Sequence, residues 1–156
     1  MDIDTKDSYM NTKWRRSDNL QTYIIDGEPV SKGRPRFTRR GHTYTPKKTA
    51  DYEKHIKQQL TEQGAEPFEK ETPLRVEVTF YKEHLKSWTK KQVFQAEDGS
   101  LLPVKRPDLD NYVKAILDGA NEILWHDDSQ IVDLLLYKRY DKTPRVEIKV
   151  NEIKFI

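Results

Sequence analysis

Two groups of acidic residues are candidate ligands for a metal ion. Asp108 and Asp110 open a predicted helix within the run Arg-Pro-Asp-Leu-Asp-Asn-Tyr-Val-Lys at 106–114, and Asp127-Asp128 lies beyond its far end. Carboxylates gathered together repel one another unless a cation is bound between them. Hard oxygen ligands of this type suit Mg²⁺ or Mn²⁺, which bind through a few carboxylates, water and substrate phosphate. A metal-dependent reaction at a phosphate group is therefore the working hypothesis.

Each of these residues also has an ordinary structural interpretation. Asp108 is a good helix N-cap, and Asp110 in the first turn gains from the helix dipole, each contributing ~0.3–1 kcal/mol. Lys114 can form ion pairs along the helix with Asp110 and Asp118, which lie four residues away on either side. Asp127-Asp128 is typical of a solvated turn before a strand. Only the combination of these residues favours a metal site.

The predicted helix separates the two acidic groups. A helix from Asp110 to Leu124 spans roughly 20 Å at 1.5 Å per residue, so Asp128 cannot return to Asp108 along it. The strand predicted to begin at Ile131 leaves from the wrong end to bring it back. Sequence geometry alone therefore does not close the site.

The charges are segregated along the chain, although the net charge is only +2. Residues 32–48 contain seven Lys and Arg and no acid, whereas residues 108–128 contain six acids and one Lys. Basic groups attract phosphates and acids hold a metal, so this pattern fits an enzyme that acts on a polyanion. With 156 residues, 35% of them hydrophobic, the chain is long enough for one domain with one modest core.

Composition also excludes or disfavours some kinds of site and location. The chain has no Cys, which rules out disulfides, thiolate zinc sites and cysteine nucleophiles. No apolar run approaches the ~20 residues needed to cross a membrane, and the N-terminus does not read as a signal peptide. We therefore expect a cytoplasmic protein.

Hydrophobic periodicity predicts an α/β domain, a mixed sheet with helices packed on it. Strands are predicted at 22–27, 74–81, 131–140 and 145–153, and the short link 141–144 favours pairing of the last two as an antiparallel hairpin. Residues 1–21 are polar and predict a mobile extension, which leaves the domain at 22–156.

Three helices are predicted among these strands. The first begins near Pro46, the second is a short basic helix capped by Ser87, and the third runs from Asp110 to Leu124. The buried face of the first is Tyr52, Ile56 and Leu60, and that of the third is Val113, Ile116, Leu117, Ala120, Ile123 and Leu124.

Five motifs follow one another along the chain: Pro-Val-Ser-Lys-Gly-Arg-Pro-Arg at 29–36, Tyr-Thr-Pro-Lys-Lys-Thr at 44–49, Pro-Asp-Leu-Asp-Asn-Tyr-Val-Lys at 107–114, Asp118, and Asp-Asp-Ser-Gln-Ile-Val at 127–132. In this order they resemble the RusA family of Holliday junction resolvases. The resemblance runs from about Tyr23 to the C-terminus, and the combination is specific although each piece is weak alone. The resemblance implies a small homodimeric endonuclease, often encoded by phages and prophages, that needs a divalent metal.

The resemblance also implies roles for individual residues. The positions matching Asp108, Asp110 and Asp128 bind the metal, Mg²⁺ with Mn²⁺ as a substitute, and the position matching Lys114 is needed for cleavage. Lys114 would either neutralise charge that builds on the phosphorane or align the attacking water, and both roles stay open. Asp127 is the alternative ligand, because a slip of one residue would exchange it with Asp128.

The expected reaction is paired phosphodiester hydrolysis in a four-way DNA junction, in recombination and repair. The bases expected to contact DNA are Lys32, Arg34, Arg36, Arg39, Arg40, Lys47, Lys48, Lys105 and Arg106. Phe37 and Tyr44 lie among them and would stiffen the segment or stack on bases. Leu101 and Leu102 occupy a region where other family members carry an aromatic residue that helps to open the junction; they would wedge between base pairs or pack back onto the protein.

Two functions of other classes also fit the sequence. One is a junction-binding module in which the acids are structural. The other is a metal-dependent hydrolase of nucleotides or small phosphate esters, which would not need the basic run at 32–48. Cleavage of a synthetic junction, compared with mere binding or with release of phosphate from mononucleotides, separates the three.

A homodimer is expected because resolution takes two symmetric cuts, while the chain carries one set of carboxylates. Residues Leu134 to Tyr137 run consecutively along one predicted strand, and alternation buries only half of them against a single core. The others would be covered by a partner subunit or by helices on the second face of the sheet.

Overall fold

The computed structural model describes residues 13–33, 36–44 and 46–155. Its strands are β1 (Trp14–Arg16), β2 (Gln21–Asp26), β3 (Arg36–Phe37), β4 (Thr43–Tyr44), β5 (Leu74–Glu83), β6 (Ile131–Asp141) and β7 (Arg145–Phe155). Its helices are α1 (Lys47–Glu62), α2 (Lys90–Asp98) and α3 (Leu109–Ala120), with a 3₁₀ turn at Asp128–Gln130.

The main sheet is mixed, which confirms the predicted α/β class. β7 pairs antiparallel with β5 on one side and with β2 and β1 on the other, while β6 lies parallel to β5. β3 and β4 form a separate two-stranded hairpin. The parallel pair β5–β6 is connected through α2 and α3, because a parallel connection requires a long crossover.

The predicted hairpin between β6 and β7 is wrong, because β5 lies between these two strands. Val78 of β5 is opposite Leu136 of β6 and also opposite Ile148 of β7. β5 is buried on nearly every residue of its first half, as suits a central strand with neighbours on both sides. The link at 142–144 therefore passes over the end of β5.

One face of the sheet carries the core. Val76, Val78 and Phe80 are buried beneath the helices, and the ring of Phe80 stacks on Tyr112 of α3 with 5.0 Å between centroids. Gly119 of α3 lies against α1 so closely that an added Cβ would stand 2.8–2.9 Å from Ile56 atoms. The absence of a side chain at Gly119 thus lets the two helices approach each other.

Two helix boundaries differ from prediction. α3 ends at Ala120 rather than Leu124, because the chain turns at Glu122, where φ is 68°. Leu124 is nonetheless buried, so its hydrophobicity reflects core packing after the helix has ended. α2 is capped by Thr89 instead of Ser87: the Thr89 hydroxyl accepts from the Gln92 amide at 3.2 Å, in a reciprocal capping box.

One outer edge of the sheet is covered by side chains, and the other is open. Gln63, which follows α1, donates to and accepts from the main chain of Ile24 in β2, and Gln59 accepts from Asp26 N, so side chains cover that edge. No strand pairs with the outer edge of β6 within the described ranges. An open edge of this length is a site for pairing with another chain.

The N-terminal prediction falls partly outside the described ranges. Residues 1–12 of the predicted extension are not described, whereas Trp14–Arg16 form β1 and pair with the end of β7. The helices that are described include none long and apolar enough to cross a membrane.

Candidate active site

The carboxylates of Asp108 and Asp110 are exposed at the start of α3. Asp108 occupies the N-cap position with extended backbone angles, but its side chain makes no capping hydrogen bond. Asp110 lies in the first turn. The capping interpretation of Asp108 is therefore not realised, and both carboxylates face solvent where a cation or a phosphate could approach.

Two strand lysines fix the loop that precedes these carboxylates. Lys138 of β6 donates to the carbonyl oxygens of Lys105 at 2.9 Å and Pro107 at 3.0 Å. Lys82 of β5 donates to the carbonyl oxygen of Arg106 at 3.3 Å. Neither lysine was predicted from the sequence to belong to the site. The sequence contained one indication of the role of Lys138. Alternation along the predicted strand places Lys138 on the same face as apolar residues.

Lys114 is exposed one turn after Asp110 and is available for chemistry. Among the described residues it makes no ion pair, so the predicted partnership with Asp110 and Asp118 is absent. Asp118 is instead paired with Lys32, whose Nζ lies 2.9 Å from Asp118 Oδ2 and 2.6 Å from Glu53 Oε1.

The second acidic group is held in a rigid turn by Gln130. The buried amide of Gln130 donates to the carbonyl oxygens of Glu69 and Thr72, and its oxygen accepts from the main-chain amides of His126 and Asp127. This role of Gln130 was not predicted either. The pattern Asp-x-x-Gln is a capping box and could have revealed it.

The two carboxyl groups of this turn have different environments. The Ser129 hydroxyl donates to Asp127 at 2.9 Å and, with a hydrogen bond to Asp128, holds the pKa of Asp127 below its usual value. Burial raises the pKa of Asp128, and the hydrogen bond to Asp127 and the charges of Asp127 and Asp118 raise it further. Asp127 thus stabilises the turn. The negatively charged form of Asp128 is disfavoured by its surroundings, and a bound cation would favour it.

The structure keeps the two acidic groups apart within one chain. Asp108 and Asp128 flank opposite ends of α3, whose twelve residues span about 18 Å. Lys138, which holds the loop before Asp108, stands seven residues along β6 from Ile131, or about 23 Å. No three described His, Asp or Glu residues of the chain are grouped so as to hold a metal.

The basic residues predicted to contact DNA have unequal surroundings. Six of them are exposed: Arg39, Arg40, Lys47, Lys48, Lys105 and Arg106. Lys32 is largely covered: burial lowers the pKa of its ammonium, but the hydrogen bonds to Glu53 and Asp118 outweigh that effect and raise it above its usual value. Arg34 and the side chain of Arg36 lie outside the part of the chain that is described.

The loop before α3 presents apolar side chains of unequal exposure. Leu101 is half-buried and its amide donates to Gln95 O at 2.9 Å, which ties the loop to α2, while Leu102 is more exposed. Val104 is 88% exposed. His126, next to the Asp127 turn, is an exposed loop residue.

The fold is a small α/β domain in which exposed carboxylates and an exposed lysine at the start of α3 adjoin exposed basic residues of the preceding loop, a combination suited to contact with a phosphate backbone. The family model "Endodeoxyribonuclease RusA" matches residues 26–151, which is most of the chain. The protein therefore belongs to the RusA endodeoxyribonuclease family.

Two relatives illustrate the relationship. The uncharacterised protein YqaN of Bacillus subtilis (strain 168) is 35% identical over 136 residues, which cover 84% of this chain and 95% of YqaN. The crossover junction endodeoxyribonuclease RusA of Lactococcus phage r1t is 36% identical over 92 residues, covering 56% of this chain and 61% of the phage protein.

Proposed function

We propose that this protein is a metal-dependent endonuclease that resolves Holliday junctions by paired cuts during recombination and repair. The observation that carries the proposal is the exposed pair Asp108 and Asp110, one turn before the exposed Lys114, in a chain of the RusA family. The similarity to a phage crossover junction endodeoxyribonuclease supports branched DNA as the substrate.

The donor chemistry of the site fits Mg²⁺, with Mn²⁺ as a substitute. Asp108 and Asp110 offer exposed oxygen ligands, and Asp128 offers a third whose charge is disfavoured by its neighbours. A metal bound there would lower the pKa of a water and polarise the phosphoryl group. Lys114 would neutralise charge on the phosphate or align the attacking water.

The separation of Asp128 from Asp108 favours a site shared between two subunits. Within one chain these residues flank opposite ends of α3, and no described element returns one to the other. In a two-fold dimer, Asp128 of one protomer can approach Asp108 and Asp110 of its partner, giving two equivalent sites related by symmetry. Two such sites match the symmetry of a four-way junction.

The open edge of β6 is the surface that we assign to this dimer. Leu134 is opposite the buried Val76 of β5 and so shares the core face of the sheet, yet it is 41% exposed. Val132, where the register between β5 and β6 shifts, is 59% exposed. The core face is therefore left partly uncovered at this edge, and a partner subunit would cover it.

Antiparallel pairing of two β6 strands would also bring the two acidic groups toward each other. It places the start of one strand, next to Asp128, beside the later part of the other strand. That later part includes Lys138, which holds the loop before Asp108. The same contact would thus cover the exposed apolar residues and complete the proposed site.

Incubation with a synthetic four-way junction and with its linear duplex arms, with and without Mg²⁺, tests the proposal. We expect symmetric paired cuts in the junction only, and only when Mg²⁺ is present. Asp108→Asn, Asp110→Asn and Asp128→Asn should each abolish cutting while junction binding persists, because loss of negative charge eases the approach of phosphates. Cleavage by Asp110→Asn at the wild-type rate would remove that residue from the site.

A further inference from the structure

The β3–β4 hairpin carries an exposed aromatic ring. Phe37 is 73% exposed, the most exposed aromatic side chain of the described residues, and Tyr44 is 49% exposed. Phe37 is opposite Thr43 in the hairpin, so Phe37 and Tyr44 lie on opposite faces of the ribbon. A ring this exposed contributes little to the core of its own chain.

The charge around Phe37 indicates what the ring would contact. The turn of the hairpin carries Arg39 and Arg40, both exposed, and the helix that follows begins with Lys47 and Lys48. No acid occurs from residue 32 to residue 48. An exposed aromatic ring among basic residues is the combination with which proteins bind unpaired nucleotides: the basic residues contact phosphates and the ring stacks on a nucleobase.

The described residues that precede the hairpin are anchored to the body of the protein. Lys32 N donates to Asn111 O at 2.9 Å, one residue after Asp110. Gly33 N donates to the buried Thr49 hydroxyl at 2.8 Å, and a Cβ at Gly33 would meet that oxygen at 2.8 Å. Lys32 and Gly33 are therefore fixed beside the first turn of α3, which carries the proposed metal ligands, and β3 begins three residues later along the chain.

From these observations we infer that Phe37 stacks on an unstacked base at the branch point of the DNA and so selects branched over linear substrates. The inference rests on the proposed function and concerns substrate selection rather than the cut. Duplex DNA offers only base edges and phosphates to a protein surface, because its base faces are occupied by stacking. The base pairs at a crossover have faces that can be freed, and an aromatic ring can occupy such a face.

Substitutions of two exposed rings show whether the effect depends on an aromatic ring and on its position in the hairpin. Phe37→Tyr keeps an aromatic ring, whereas Phe37→Leu keeps apolar bulk without a π face. Phe94→Leu removes a ring of similar exposure, 65%, from α2 and is the matched control. Because both rings are largely exposed, none of these changes should lower the melting temperature.

The test measures binding by Asp110→Asn protein, which should not cut, to a junction and to a duplex of the same sequence. In that background Phe37→Leu should weaken junction binding at least about fivefold and leave duplex binding unchanged. Phe37→Tyr and Phe94→Leu should each retain the affinity of the parent protein for both DNAs. The fluorescence of 2-aminopurine at the branch point, which reports base stacking, should change on binding of the parent protein or Phe37→Tyr and stay nearly constant with Phe37→Leu.

Unchanged junction affinity together with an unchanged 2-aminopurine response in Phe37→Leu would overturn the inference. An equal fall in affinity for junction and duplex would also overturn it, because Phe37 would then be a general DNA contact. Failure of the proposed function has a different signature, since wild-type protein would then not cut junctions in Mg²⁺, whatever residue occupied position 37.

Discussion

The ammonium of Lys138 lies 3.0 Å from the carbonyl oxygen of Pro107, the residue before Asp108. This bond joins the open edge strand β6 to the loop that begins α3. A hydrogen bond therefore links the strand proposed for dimer contact to the loop before the first pair of proposed metal ligands. In the proposed dimer, a partner strand along β6 would therefore lie close to the loop before Asp108.

Complementation between two inactive variants tests the shared site. A heterodimer of one Asp108→Asn subunit and one Asp128→Asn subunit, co-expressed with different tags and purified through both, should carry one intact site. We expect it to nick one strand of a junction, while either homodimer is inactive. If the carboxylates met within one chain, both sites of the heterodimer would be inactive and no nick would form.

Lys114 should matter for turnover and not for folding. Lys114→Ala is expected to lower the cleavage rate about 10²–10³-fold, because a charge that stabilises the transition state is removed. Its melting temperature should stay within about a degree of wild type, since the side chain is exposed. Lys54→Ala, which removes an exposed lysine from α1, is the control and should cleave normally. A large fall in melting temperature with intact activity would assign Lys114 a structural role.

Arg39 and Arg40 should govern affinity by neutralising phosphates. Replacing both by Ala is expected to weaken junction binding and to reduce the slope of log affinity against log salt by about 0.9 for each phosphate that is no longer neutralised. Lys32→Ala is the informative comparison, because its ammonium is already bound to Glu53 and Asp118. It should change the melting temperature more than the salt slope. An unchanged slope in the double variant would show that these arginines do not touch DNA.

Gly119 should be intolerant of a side chain. Gly119→Ala places a methyl group 2.8–2.9 Å from Ile56 atoms and should destabilise the fold by about 1–3 kcal/mol, because α1 and α3 must separate. Urea denaturation measures the change in the free energy of unfolding, with Lys114→Ala on the exposed side of the same helix as the reference. Equal stability of Gly119→Ala and wild type would contradict the close approach of the two helices.

The sequence determined the parts of this protein whose causes are local. Alternation and helical spacing predicted β2, β5, α1 and α3, because the spacing of the apolar residues within each element determines which face is buried. The candidate ligands Asp108, Asp110 and Asp128 were predicted from residue type and spacing together with the family resemblance. That these residues bind a metal stays a prediction.

Tertiary structure alone decided how those parts meet. The short link at 142–144 favoured a β6–β7 hairpin, yet β5 lies between the two strands because its buried run of residues takes partners on both sides. The ion pairs of Lys32 with Glu53 and Asp118 join residues that are far apart in sequence, while its predicted contact with DNA stays a prediction. Strand order and long-range ion pairs depend on which distant segments pack against each other. The local pattern of residues does not predict which segments these are.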